Sequence, residues 1–197
     1  QGIGASVKSI TQNFSLGPVE QTGSALDLAI TGDGFFTTRS PIDDQTQYTR
    51  AGSFTISGTG NIVDSSGNRL QLLPVDANGT VTGNTLQDAN LPVQNAGGSD
   101  FVGVTVDKSG VVSASYADGT TEPVGAVALA SFISPNGLKK VGDANWESTG
   151  LSGLPSYGSA GSGAYGKIAS GALERSNVDI AEELVGLITA QRNFQAN

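Results

Sequence analysis

The hydrophobic pattern of the chain changes period near its end. Over residues 22–56 the apolar positions tend to alternate with polar ones. Leu26, Leu28 and Ile30 flank Asp27 and Ala29, which predicts a half-buried strand. The turn Gly32-Asp33-Gly34 leads into Phe35 and Phe36 and a second strand, and residues 48–56 continue the pattern. Over residues 176–197 the rhythm becomes helical. Ile180, Leu184, Leu187, Gln191 and Phe194 fall at alternating steps of four and three, with Val185 and Ile188 widening the stripe. Ser176 or Asn177 can cap the first amides, and Asp179, Glu182 and Glu183 occupy the turns where a helix dipole favours acids. No Gly or Pro ends the pattern.

A helix over this stretch would be roughly 28 Å long and marginal alone in water. Each Leu, Ile or Phe buried on its stripe would contribute about 1.5–3 kcal/mol, so the stripe needs a partner surface. The near half is expected to pack on this chain. The far half is expected to begin a longer terminal helix whose partner lies outside the sequence. A first residue Gln1 and an unterminated helix together suggest a piece of a longer protein.

Residues 1–20 alternate loosely (Ile3, Ala5, Val7, Ile10, Phe14, Leu16) and read as extended chain ended by Gly17-Pro18. A punctuation recurs further on: Val63-Asp64-Ser65-Ser66-Gly67, Val75-Asp76-Ala77-Asn78-Gly79 and Val106-Asp107-Lys108-Ser109-Gly110. In each, Asp can accept backbone amides at the turn start, and Gly three residues on can take the positive φ that closes a hairpin. Residues 57–60 and 117–119 resemble it. Residues 124–133, VGAVALASFI, are the most apolar run and read as one central buried strand. Residues 147–171 are rich in Gly and Ser and read as a surface loop with short strands around 165–169. Residues 83–99 are the least patterned and the natural place for an insertion. The expected fold is therefore mainly β. A single β-rich domain of hairpins spans residues 1–175, and residues 176–197 begin a C-terminal α-helix, part of a truncated terminal helical core.

Composition narrows the chemistry. Net charge is −8, from 10 basic and 18 acidic residues, and Lys139-Lys140 is the largest basic cluster, which argues against nucleic acid or an anionic membrane as partner. Cys and His are absent, so the usual zinc sites are excluded and a Ser nucleophile would lack its customary base. Gly161-Ser162-Gly163-Ala164-Tyr165-Gly166 satisfies GxGxxG, but a dinucleotide site needs a strand before it and a helix directly after; chance in a Gly-rich loop explains it better. The Asp turns offer too few converging oxygens for calcium. The adjacent acids Asp43-Asp44 and Glu182-Glu183 read as solvated charge, and Trp146 as packing. No catalytic, cofactor or metal residue is expected, and the protein is not expected to be an enzyme.

Three stretches carry a family resemblance. TGSALDLAITGDGFF (22–36) with YTRAGSFTISGTGNIVDSSGNRLQ (48–71) resembles the shared signature of bacterial flagellar axial proteins, the hook and rod family. GALERSNVDIAEELVGLITAQRNFQAN (171–197) resembles that family's C-terminal signature, and VGAVALASFISPNGLKKVGDANWESTGLSGLP (124–155) the segment before it. The residues lean toward the hook branch, with the rod branch as the alternative. The resemblance implies a β-rich domain on a core of terminal helices, with no cofactor. It implies a helical tube of identical subunits that transmits torque, exported by the type III apparatus to the hook and basal body, outside the cell. The stripe Ile180, Leu184, Leu187, Ile188, Gln191 and Phe194 would then be the assembly seam. Neighbouring rod and hook-filament junction proteins, and the hook cap during assembly, are the implied partners. One departure stands out: residues 74–100 leave no room for the outer β domain that hook proteins insert. Two other classes compete, a β-rich adhesin or binding module and, more weakly, a cell-wall hydrolase.

Overall fold

The computed structural model describes Phe14 and residues 16–175. The helix and stripe read from residues 176–197, and Ile3 to Ile10 of the extended arm, lie outside the described residues. Within them the chain is mainly β, with one 3-10 turn at Pro135–Gly137.

β1 (Val19–Gln21) and β2 (Leu28–Ile30) precede a hairpin of β3 (Phe35–Arg39) and β4 (Thr46–Thr49). A meander follows through β5 (Thr55–Ile56), β6 (Ile62–Val63) and β7 (Arg69–Leu73), and β8 (Gln87–Asp88) returns onto β7. A second meander comprises β9 (Phe101–Val106), β10 (Val111–Tyr116) and β11 (Thr121–Val127). β12 (Leu129–Ser131), β13 (Lys139–Lys140), β14 (Trp146–Glu147), β15 (Ser156–Gly158), β16 (Ile168–Ser170) and β17 (Ala172–Glu174) complete the order. The main sheet runs β13-β14-β4-β3-β7-β11-β10-β9, with β12 joining β3 to β15. β2 pairs with β16, and β1 with β17.

β7 organises this sheet. β3 and β6 pair with its first residues and β11 and β8 with its last, which buries Leu70, Leu72 and Leu73 almost completely. A strand sends successive side chains to opposite faces, so the adjacent Phe35 and Phe36 seed two cores. Phe36 meets Phe54 edge-on at 5.5 Å, in the larger cluster with Leu28, Ile30, Ile62, Leu70, Leu72 and Val112. Phe35 faces Phe132, Tyr48 and Leu138 in a smaller aromatic cluster, flanked by Phe14, Trp146 and Tyr157.

The Asp-x-x-Gly turns close as expected. Oδ1 of Asp64, Asp76 and Asp107 accepts the amides two and four residues on, at 2.9–3.0 Å. The following glycines, Gly67, Gly79 and Gly110, have φ between 80° and 83°.

Three stretches differ from, or add to, what their sequence pattern predicts. Residues 124–133 are not one strand. β11 ends at Val127, the Ala128 amide donates to the Gln71 carbonyl, and β12 changes partner to β3 and β15. Burial on both faces leaves the sequence continuously apolar, so the break is invisible in the pattern. Residues 83–99, the least patterned in sequence, are built into the fold. Ala89 and Leu91 are buried, and the backbone of 89–91 bonds to Gly60, Ile62 and Leu70. Residues 147–171 are more structured than a surface loop, holding part of β14 and all of β15 and β16, because glycines permit very close backbone contact there. A Cβ on Gly166 would lie 2.6 Å from the Gly32 Cα.

Gly52 is the most restrictive such position: a Cβ would sit 1.7 Å from the Leu28 carbonyl oxygen. Gly52→Ala forces Leu28, the first residue of β2, away from Gly52, whose carbonyl accepts the Leu28 amide. It should lower the urea-unfolding free energy by about 1–3 kcal/mol or more, the usual cost of overpacking.

Candidate assembly interface

Both termini of the β domain are held in one place. β1 and β17 run antiparallel, with Val19 opposite Glu174 and Gln21 opposite Ala172, so the chain enters and leaves side by side. The Arg175 amide donates to the Pro18 carbonyl at 2.7 Å, and Thr22 and Gly23 donate to Gly171. On the exposed side the Arg175 Nε donates to Glu20 Oε2 at 2.9 Å.

The inner side of this pair carries a charged clasp. Arg50 Nε donates to Glu174 Oε1 at 2.9 Å and Nη2 to Oε2 at 3.1 Å, a bidentate pair. Nη1 donates to the carbonyls of Gly32 and Gly34, both at 2.7 Å, and Nη2 also to Ile30 at 3.1 Å. A guanidinium has five N–H donors, and all five are engaged. Glu174 Oε2 further accepts the Gly17 amide at 2.7 Å. Side-chain exposure is only 14% for Arg50 and 7% for Glu174. Such burial is tolerable only because the desolvated charges are fully paired. Local sequence aims the parts: Thr49 Oγ1 accepts the Ala51 amide as β4 ends, and Gly34, at φ 122°, closes the turn that presents the two carbonyls.

A second anchor holds the incoming arm. Phe14 packs edge-on against Phe35 at 5.0 Å and Trp146 at 5.3 Å, which accounts for Trp146 as packing. Beneath it, the hydroxyls of Tyr48 and Tyr157 lie 2.7 Å apart. Burial, reinforced by the Tyr157 hydroxyl, holds the Tyr48 phenol far above its ordinary range, and burial also raises Tyr157.

The sequence-predicted seam (Ile180, Leu184, Leu187, Ile188, Gln191, Phe194) lies outside the described residues, as do Glu182 and Glu183. Asp43 and Asp44 diverge in role. Asp43 accepts the Gln45 amide, while Asp44 is bridged by Arg69 at 3.2 Å as well as being solvated. In the GxGxxG stretch the Gly166 amide donates to Asp33 and strand β16 follows, so no helix amides face a ligand there. Arg50 and Glu174 were not singled out from sequence. They lie 124 residues apart, and nothing in spacing or composition links them.

Residues 29–114 match the family described as flagellar hook protein FlgE/F/G D1 domain, and residues 169–197 match flagellar basal body rod FlgEFG protein C-terminal. The flagellar basal-body rod protein FlgG of Buchnera aphidicola subsp. Baizongia pistaciae is 35% identical over 99% of this chain and 68% of its own length. The chain belongs to the flagellar hook and basal-body rod family. FlgG of Bacillus subtilis is 34% identical over 100% of this chain and 67% of its own length. The flagellar hook protein FlgE of Borreliella burgdorferi is 45% identical over 47% of this chain and 21% of its own length. A solved Helicobacter pylori hook protein, FlgE2, aligns over 69% of this chain and 36% of its own, with 19% identity and a TM-score of 0.33. The chain is thus a non-enzymatic structural component of the bacterial flagellum, one that assembles into the axial structure beside other flagellar proteins.

Two outcomes test this site. Arg50→Ala leaves Glu174 buried and three carbonyls unpaired, and should cost about 3–5 kcal/mol in urea unfolding, with strong coupling to Glu174→Ala in a double-mutant cycle. For the tyrosine pair, the folded state binds more protons than the unfolded state above pH 10, the unshifted tyrosine value. Stability should therefore be full below pH 10 and fall as pH rises beyond it. Tyr48→Phe should flatten that loss, as read by chemical denaturation between pH 9 and 12.

Proposed function

We propose that this chain is a subunit of the rod section of the flagellar axle rather than of the hook. Residues 1–175 would be its β-rich domain, and residues 176–197 the start of a C-terminal core helix. The observation that carries this reading is the extent of similarity: relatives named rod proteins align with the whole chain, whereas the hook relative reported above aligns with under half of it. The connection from β7 to β9 supports the same reading. Its residues are built into the core through β8, Ala89 and Leu91, which leaves little chain for an outer domain of the hook type.

In this reading identical copies stack head to tail without closing, which yields a helical tube. The helix stripe Ile180, Leu184, Leu187, Ile188, Gln191 and Phe194 forms the seam between copies. The Arg50–Glu174 clasp fixes the angle at which both arms leave the β domain, so torque on the core passes to the outer domain without slack. Export by the type III apparatus and contact with adjoining rod and hook proteins follow from that location.

The test is to express the full-length protein, epitope-tagged at the exposed 76–79 turn, in the source bacterium lacking the native gene. Gold label on isolated hook–basal bodies should fall on the rod; label along the curved hook would sink the rod assignment. Leu184→Asp and Ile188→Asp should abolish incorporation and motility, and normal incorporation would remove the seam.

A further inference from the structure

The long sheet ends at β13 on one side and β9 on the other, and the two ends carry different exposed apolar patches. Beside β13, the chain leaving β12 passes Ile133 to the 3-10 turn and returns from β14 through Leu151 and Leu154 to β15. Ser131 pairs with Ser156, so continuing that register sets Ile133 opposite Leu154. Exposure is 95% for Ile133, 82% for Leu151 and 87% for Leu154.

This tip is rigid rather than frayed. Thr149 Oγ1 donates to the Gly137 carbonyl at 2.5 Å, the Thr149 amide donates to Ser152 Oγ at 2.8 Å, and Ser152 is wholly buried. A preorganised loop that fully exposes three adjacent aliphatic side chains is an interaction surface rather than a solvated one.

At the far end, Val102 on β9 is 63% exposed and Val93 is 73% exposed. The Phe101 amide donates to the Val93 carbonyl at 2.9 Å, which brings the two together. The rim of this patch is acidic. Asp100 and Asp118 carry hydrogen bonds from Gln94 and Asn95, and neither has an ion pair among the described residues. Hydrogen bonds from the Thr120 hydroxyl and amide, and from Asn95, hold Asp118 down to about 2, so it stays charged at any physiological pH. The rim beside the tip is led by Lys139 and Lys140, both exposed on the edge strand, with Glu147 opposite Lys139 and Asp143 in the following turn.

We propose that these two ends meet between neighbouring copies: Ile133, Leu151 and Leu154 of one subunit rest on Val93 and Val102 of the next, with Lys139 and Lys140 facing Asp100 and Asp118. The contact joins unlike surfaces and so can pass from copy to copy along an open assembly, and its charged rim sets the register. It rests on the axial-subunit reading above and adds to it a side-by-side contact through the β domains, separate from the helix seam.

These 197 residues contain no Cys, and any Cys elsewhere in the full-length protein is replaced by Ser so that engineered thiols report cleanly. Leu154→Cys and Val102→Cys are introduced, singly and together, into the full-length protein in flagellated cells, and purified basal bodies are treated with a short bis-maleimide. The double variant should give a ladder of multimers, and co-expressed single variants should give dimers only. Dimers from either single variant alone would mean that a patch meets its own copy, and would overturn the proposal. An absence of cross-links while wild-type protein enters the flagellum would overturn it too. Absence of the wild-type protein from the flagellum would instead overturn the axial reading itself. Independently, Lys139→Glu with Lys140→Glu should reduce incorporation at least tenfold, and Asp100→Lys with Asp118→Lys in the same chain should restore it. Undiminished incorporation of the first variant, or no restoration by the second, counts against the contact.

Discussion

Arg50 is the point at which the two halves of the chain are tied. A buried guanidinium and a buried carboxylate each lose several kcal/mol of hydration, and the loss is offset only if every donor finds an acceptor. Arg50 meets that condition by drawing on three backbone carbonyls of one stretch, residues 30–34, and on Glu174. The requirement fixes the turn at 32–34, the end of β4 and the last strand of the domain relative to one another. Gly17 is drawn into the same site through the second oxygen of Glu174. The entry and exit of the domain are therefore set by one electrostatic constraint, and the β1–β17 pair extends it toward the surface.

Around that constraint the sheet divides its labour. β7 is shared by four other strands and has no exposed face, so the larger core is assembled from segments far apart in sequence. The smaller aromatic core lies on the other face of β3 and receives Phe14 from the incoming arm. In the rod-subunit reading proposed above, force passes between the terminal segments and the β domain. Two independent anchors on the arm, one ionic and one aromatic, suit a joint that must not pivot. Close glycine contacts such as Gly32 on Gly166 serve the same end, because backbones in direct contact have little room to shear.

The non-enzymatic character of the family has a physical counterpart among the described residues. Polar groups that could have formed a site are engaged in holding backbone: the turn aspartates accept amides, Asp44 bridges arginines, and Gln71 donates to Asp88. Five exposed aliphatic side chains, Val93, Val102, Ile133, Leu151 and Leu154, by contrast, lie near the sheet's two ends.

Much of the fold was legible locally. Period-two alternation over residues 26–30 marked β2, Phe35-Phe36 after the glycine turn marked the start of β3, and Asp-x-x-Gly marked three hairpin turns, because strand pleat and positive-φ turns are properties of a few adjacent residues. The mainly β class and the family signatures followed from the same short-range information. The break at Ala128, the burial of Ala89 and Leu91 and the order in residues 147–171 were not legible. There the outcome depends on which distant strand supplies the next hydrogen bond, and an apolar or Gly-rich run is compatible with several. The clasp was hidden for the same reason. An arginine at a strand end and a glutamate 124 residues later look like two solvated charges until tertiary folding removes the water between them.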